Sequence, residues 1–417
     1  MDIRPLILVD FGFQISGGDK RTYEILKRGK SNGVNYVVVF NKRKYDSATK
    51  NFPLLDKVLH QYTLYMVDWG ADPLSKIPGS SLISDKHIIN SAVIMSRIAK
   101  NEGVDLIVSD EDYPNFLRSY FTGTISHLPW TAIFNLTPTV GYYGSITSNN
   151  SPWSLVNKML VNIPLHSRIR LLGTLFSQLK ISQKTLILTV SESVEKEVNL
   201  LNPKIKIHVI KPGCGVDIKK YKEIQSKIEK NEAIFSSRLI PGKGLLDLPE
   251  TWNIVIKKIP DAKLFVAGIV QERKWIDMFH MLIKKYGLSK NIIFVGQYDM
   301  NHEKDLVQLI KSSKVLIYPS LQDSFSLSIL ESLICGTPVV AYDIPAIQSN
   351  YKECKAVIRV GIKNKRDMAR HIIRILEDEE EWIKLSLEAR SFAEKYDWDE
   401  VTKAEKDAYV AVLNLEK

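Results

Sequence analysis

Short runs of apolar, largely β-branched residues recur along the chain in two series, with longer amphipathic stretches between several of them. The first series is PLILVD (5–10), NYVVVF (35–40), TLYMVD (63–68), DLIVSD (105–110), WTAIFNL (130–136), TLILTVS (185–191) and IKIHVI (205–210), all read as buried strands. Helical patterns fall between some of them, as at 19–32 and 86–101. The second series is 233–239, 262–269, 291–296, 315–320, 339–342 and 356–360, separated by helical stretches near 246–258, 272–286, 303–312 and 326–334. Continuous apolar strands divided by helices require a parallel sheet covered on both faces. Two series therefore predict an α/β chain of two Rossmann-like, doubly wound domains, joined through the polar, glycine-bearing stretch 211–232 and facing across a cleft. Beyond 363 the pattern is helical throughout. The length of 417 residues agrees with two or three domains at roughly 150 residues each.

Composition narrows the class. Apolar residues at 45% and charged residues at 25% exclude a disordered chain or a coiled coil. No apolar stretch reaches about 18 residues, so no transmembrane helix is expected. The opening MDIRPLILVDFG has an apolar run too short, and too soon charged, for a signal peptide, so a cytosolic location is expected. The three cysteines, Cys214, Cys335 and Cys354, have no zinc-type spacing and read as small buried residues of a reducing compartment.

The net charge of +10 is mild, and its distribution says more. Residues 113–191 contain no Asp or Glu, where about nine are expected from the chain average. They carry Arg118, Lys158, Arg168, Arg170, Lys180 and Lys184. Such a region prefers anionic partners: lipid headgroups, phosphates or RNA. Within it, 153–182 mixes apolar residues with four of these cations, a composition that suits an interfacial helix on anionic lipid as well as a buried insertion bordering a cleft.

Chemistry concentrates in the second series. The run AIFSSRL leads into IPGKGLLDL, which sets Arg238 and Lys243 at the carboxyl edge of that sheet, where ligands of doubly wound domains bind. Two cations there suit a diphosphate. The stretch YPSLQDSFSLSILESLICGTPVVAY (318–342) passes from a strand through a polar loop into a helix predicted to have Phe325, Ser326 and Leu327 in its first turn. Backbone N–H groups at such a start bind anions. Asp323 lies in the loop. Glu331, eight residues on, is expected two turns into the helix, where a carboxylate can accept hydrogen bonds from a vicinal diol such as a ribose. Gly336 and Pro338 end the helix.

These residues resemble the C-terminal half of the GT-B glycosyltransferases of family 4, the glycosyl transferases group 1. The shared pattern is Arg238-Leu239, Lys243-Gly244, Pro319-Ser320, Phe325, Leu327, Leu330-Glu331, Gly336 and Pro338-Val339-Val340-Ala341. Weaker echoes are Gly17-Gly18 after the first strand, the turn from Pro212 to Asp217, and Trp398 with the helix that follows. The resemblance implies an N-terminal acceptor-binding domain (1–211), a C-terminal nucleotide-sugar domain (212–397) and a final helix (398–417) that crosses back to the first domain. It implies a retaining hexosyltransferase that moves a sugar from a nucleoside diphosphate donor to a glycan or lipid-linked acceptor, with the donor as substrate and neither a cofactor nor an essential metal. Arg238 and Lys243 would hold the diphosphate, the backbone of Phe325, Ser326 and Leu327 would cradle it, Glu331 would bind the ribose and Asp323 the donor sugar. Gly296, Gln297 and Tyr298 would line the base pocket, and Gly17 and Gly18 would let the first domain approach the donor. No nucleic-acid partner is implied. An anionic membrane surface at the cytosolic face is a candidate partner through 153–182, beside the reading of that segment as a buried insertion.

The chain departs from the family pattern in places. Asp323 stands where the family has Glu, and Ser324 and Ser326 replace glycines. The histidine that usually ends the strand here reading TAIFNLTP is absent; Phe134 or Asn135 occupies its place, and His127 upstream is either a substitute or, beside Leu128-Pro129, a structural histidine. Asp110-Glu111-Asp112 resembles the metal motif of the other glycosyltransferase fold, against which stands a solvated acidic strand end. The competing functions are a catalytically weak or inactive sugar-nucleotide or glycan-binding relative, and a GT-B sugar-nucleotide epimerase.

Overall fold

A computed structural model describes residues 2–11, 17–68, 86–110, 115–135, 185–226, 232–296, 298 and 300–415. The chain divides into two compact units, one of Met1–Gly213 with Asp399–Lys417, the other of Cys214–Trp398.

The first unit holds a seven-stranded sheet in the order β3-β2-β1-β4-β5-β6-β7. Its strands are β1 (Pro5–Val9), β2 (Val37–Asn41), β3 (Thr63–Val67), β4 (Leu106–Ser109), β5 (Trp130–Phe134), β6 (Leu186–Thr189) and β7 (Lys206–Val209). Every pairing is parallel, with Leu6 opposite Val37 on one side of β1 and Pro5 opposite Leu106 on the other. The central strands β1, β2, β4 and β5 are buried along their whole length, as uninterrupted apolar runs require. β3 and β7 correct the sequence reading. They have the same β-branched character, but they lie at the sheet edges, and most of their residues are partly or fully exposed. Helix Gly17–Gly29 follows β1, with Asp19 in its first turn and Lys27 and Arg28 in its last, as the helix dipole favours. Helices Lys86–Glu102 and Asn115–Ser126 precede β4 and β5. The final helix, Trp398–Asn414, contributes its residues from Asp399 onward to this unit, where Asp399 meets Arg28 at 3.1 Å.

The second unit holds a six-stranded parallel sheet in the order β10-β9-β8-β11-β12-β13. Its strands are β8 (Glu232–Ser236), β9 (Leu264–Ala267), β10 (Ile292–Gly296), β11 (Ser313–Tyr318), β12 (Val339–Tyr342) and β13 (Val357–Val360). The chain winds outward from β8 through β9 to β10, then returns to place β11 on the other side of β8. The strand order therefore reverses between β8 and β11. At such a reversal the loops leaving adjacent strands diverge and open a crevice at the carboxyl ends.

Among the described residues no helix is long and apolar enough to cross a membrane. The segment 153–182 lies outside the described residues.

Candidate active site

The reversal between β8 and β11 brings the phosphate-handling residues together. After β8 the chain passes through Arg238, buries Leu239 and turns through a 3-10 helix, Pro241–Lys243, closed by Gly244. Gly244 is left-handed, at φ 78°, and a Cβ there would lie 2.1 Å from the Pro319 carbonyl oxygen beyond β11. The glycine lets the two loops touch, and Leu321 N–H donates to Gly242 O at 3.0 Å.

That contact seats Lys243 against Asp323. The ammonium lies 2.6 Å from Asp323 Oδ2 and also donates to Gln322 O at 3.3 Å, with both side chains largely shielded from solvent. Asp323 accepts further hydrogen bonds from the Tyr318 hydroxyl and, at 2.9 Å, from Ser324 N–H. Burial pushes the Asp323 carboxyl up, but Lys243, Tyr318 and Ser324 together hold it below the usual carboxylate range. Burial lowers Lys243; Asp323 pulls it back up and the charge of Arg238 reinforces the lowering. Arg238 itself is half-buried and, among the described residues, has no carboxylate partner. The crevice thus contains one neutralised cation and one that is not. The sequence placed Lys243 and Asp323 in separate roles; the fold makes them one ion pair.

The helix beyond the loop starts later than expected. Its first residue is Leu327; Phe325 and Ser326 precede it. Glu331 is consequently one turn in, not two. Ser326 takes a left-handed conformation, φ 71° and ψ 60°, where the family pattern has glycine, and its side chain does not cap the helix. The loop is held from behind: Asn350 Nδ2 donates to Ser324 O at 3.1 Å, and the Tyr351 hydroxyl donates to Ser326 O at 3.0 Å. Phe325 is buried edge-on to Tyr351 and Tyr396. A fixed loop feeding an uncapped helix start presents oriented N–H groups to an anion at no ordering cost when the anion binds.

Glu331, half-buried, receives the Tyr221 hydroxyl at 3.2 Å. Tyr221, Glu303 and Tyr318 were not among the residues singled out from the sequence. Tyr318 and Tyr221 lie within or beside the quoted motifs, but nothing local marks Glu303. Gly296, at φ 107°, ends β10 with open space around it, and Tyr298 lies edge-on to His302 at 6.1 Å. Both leave the same carboxyl edge of the sheet as Arg238, two strands away. Gln297 lies outside the described residues.

In the first unit the reversal falls between β1 and β4. Gly17 and Gly18 form the start of the helix after β1, with Gly17 exposed and open. Asp110, beyond β4, is not the solvated acid considered above. It is buried, with Oδ1 3.1 Å from Arg21 Nη1 and from Asn135 Nδ2, and Oδ2 bonded to the Thr22 hydroxyl. Arg21 also donates to Glu405 and, at 2.8 Å, to Gly213 O. Burial pushes the Asp110 carboxyl up to about 6, against the pull of Arg21. Glu111 and Asp112 lie outside the described residues, and among the described residues no cluster of metal-ligating side chains forms. Phe134 is buried in β5, and Asn135 stands at its carboxyl end, tied to Asp110. His127 is in an exposed turn before β5 and so belongs to the opposite edge of the sheet, which removes it as the substitute histidine.

Residues 217–392 match the glycosyl transferases group 1 family. An uncharacterized glycosyltransferase of Methanocaldococcus jannaschii is 26% identical over 244 residues, which cover 55% of this chain; the chain spans 60% of that relative's length. A glycosyltransferase structure from Rickettsia africae superposes with a TM-score of 0.73 at 18% identity, covering 99% of each chain. Anabaena HepE in complex with UDP and glucose superposes with a TM-score of 0.68 at 15% identity, covering 98% of this chain and all of that one. Residues 217–392 thus resemble the glycosyl transferases group 1, and the chain's two parallel-sheet units have the GT-B fold.

Proposed function

We propose that the chain is a retaining glycosyltransferase that moves a sugar from a nucleoside diphosphate donor to a hydroxyl of a glycan or lipid-linked acceptor. The observation that carries the reading is Arg238, uncompensated by any carboxylate among the described residues, beside the Lys243–Asp323 pair and the start of helix Leu327–Ile334. A guanidinium without a counter-ion at the mouth of a sheet crevice seeks an anion, and its planar fork matches phosphate oxygens. Lys243 supplies a second charge, held in place by Asp323 before any ligand arrives. The N–H groups ahead of the helix supply the third contact, and Asp323 meets the donor sugar beside them. The UDP held by the Anabaena neighbour supports a nucleotide of this kind.

In this reading the anomeric C–O bond to the diphosphate breaks while the acceptor oxygen bonds to the same face of the anomeric carbon. The acceptor's proton passes to the departing phosphate oxygen. The protein's part is to position the reactants and to stabilise negative charge growing on the diphosphate. Such a step asks for no side-chain base, which accords with Asn135 being tied to Asp110 where the family has histidine. The same departure favours a second reading, a weakly active or inactive sugar-nucleotide binder. Donor hydrolysis separates the two: slow release of free sugar and nucleotide from one of UDP-, GDP-, ADP- or TDP-sugars is expected. Binding without any release would support the inactive relative.

A further inference from the structure

The ribose reading of Glu331 leaves open what aims its carboxylate, since a glutamate side chain has three rotatable bonds. The second unit contains a support for it. Tyr221 projects from the short helix Ile218–Glu223 and is buried, with its hydroxyl 3.2 Å from Glu331 Oε1 and 3.1 Å from Glu303 Oε1. Glu303 opens helix Glu303–Lys311, where the dipole favours an acid, and its other oxygen is paired to Lys220. Lys311 donates to the carbonyls of both Tyr221 and Ile224, which fixes the helix that carries the tyrosine. Three segments distant in sequence thus converge on one phenolic oxygen.

The chemistry of that convergence is restrictive. Burial, with Glu331 and Glu303 reinforcing it, pushes the Tyr221 phenol well above its usual range, so it stays a donor. A phenol has one proton to give, and two carboxylates compete for it. Lys220 offsets the charge of Glu303, which leaves the proton available to Glu331. A bond from Tyr221 to Oε1 stops rotation of the carboxylate and sets the direction of Oε2.

Building on the assignment of Glu331 to the nucleotide's pentose, we propose that Tyr221 is a positioning residue that orients Glu331 to accept hydrogen bonds from ribose hydroxyls and makes the site select ribonucleotides over deoxyribonucleotides.

The test is calorimetric titration of the whole protein with UDP, GDP and ADP and their 2′- and 3′-deoxy counterparts. In the wild type the preferred ribonucleotide is expected to bind on the order of 10- to 100-fold more tightly than a deoxy form, the range for a hydrogen bond to a charged acceptor. Tyr221→Phe keeps the ring and removes the donor. It is expected to bring the ratio below about threefold by weakening ribonucleotide binding, with deoxynucleotide affinity unchanged. Glu331→Gln should also lose the preference. If Glu331→Gln loses it and Tyr221→Phe keeps it, the positioning role is overturned and the pentose site stands. If Glu331→Gln keeps it, both readings fall. Equal weakening of ribo- and deoxynucleotides by Tyr221→Phe reduces Tyr221 to packing and overturns the proposal. Glu303→Gln removes the competing ionised acceptor and is expected to retain or sharpen the ratio; its collapse there counts against the proposal even if Tyr221→Phe proves unstable.

Discussion

Arg238 and Lys243 are assigned the same task but are built into the fold differently, so their removal should have different consequences. Lys243→Ala breaks a nearly buried ion pair and leaves Asp323, among the described residues, with Tyr318 and Ser324 as partners. Stranding one member of such a pair costs about 3–5 kcal/mol. At about 2–4 °C per kcal/mol for a unit of this size, that is a fall in melting temperature of roughly 6–20 °C. Arg238→Ala removes a half-exposed side chain with no carboxylate partner among the described residues, so its stability should change by no more than about 0.5 kcal/mol. Both variants should lose roughly 10²–10³ in kcat, because each removes charge stabilisation of the leaving diphosphate. Scanning calorimetry gives the first quantity. Donor turnover, measured well below the lower melting point, gives the second. The double variant Lys243→Met with Asp323→Leu should regain most of the lost melting temperature and none of the activity. Near-normal turnover in Arg238→Ala, or a melting temperature as depressed as that of Lys243→Ala, would refute the division of labour.

Other consequences are more local. Gly244→Ala should destabilise by about 3 kcal/mol or more, read by urea unfolding, since a left-handed backbone and a Cβ 2.1 Å from Pro319 O add together. The Asp110 carboxyl, pushed up to about 6, binds more protons in the folded than in the unfolded chain between pH 4 and 6. Its stability contribution is therefore fully present at low pH and is lost as pH rises through about 6, and Asp110→Asn should remove that slope from the melting-temperature profile. Co-sedimentation with vesicles containing anionic lipid, and not with neutral ones, is expected if 153–182 lies on a membrane; binding to neither discards the lipid reading.

The sequence revealed the sheets through their centres. Strands such as LILV and VVVF are covered on both faces, and nothing but continuous apolar runs satisfies that. The edges were misread because Thr63–Val67 and Lys206–Val209 have similar composition, and exposure depends on place in the sheet. The phosphate-site motif was legible because its glycines answer local backbone demands: Gly244 where Pro319 approaches and Gly336 where the helix ends left-handed. Pairings across the fold left no such trace. Lys243 and Asp323 are 80 residues apart, Arg21 and Asp110 are 89 apart, and Arg21 and Glu405 are 384 apart. For that reason a carboxylate in the run Asp110-Glu111-Asp112 read as solvated, although the fold surrounds it with donors.

The central claim is that the crevice between β8 and β11 grips a pyrophosphate. A crystal structure of the chain with a bound nucleoside diphosphate tests it most directly. Phosphate oxygens are expected within hydrogen-bond distance of Arg238, Lys243 and the N–H groups of Ser326 and Leu327, with the pentose on Glu331. A diphosphate bound elsewhere, with the Arg238 side chain untouched, would contradict the account.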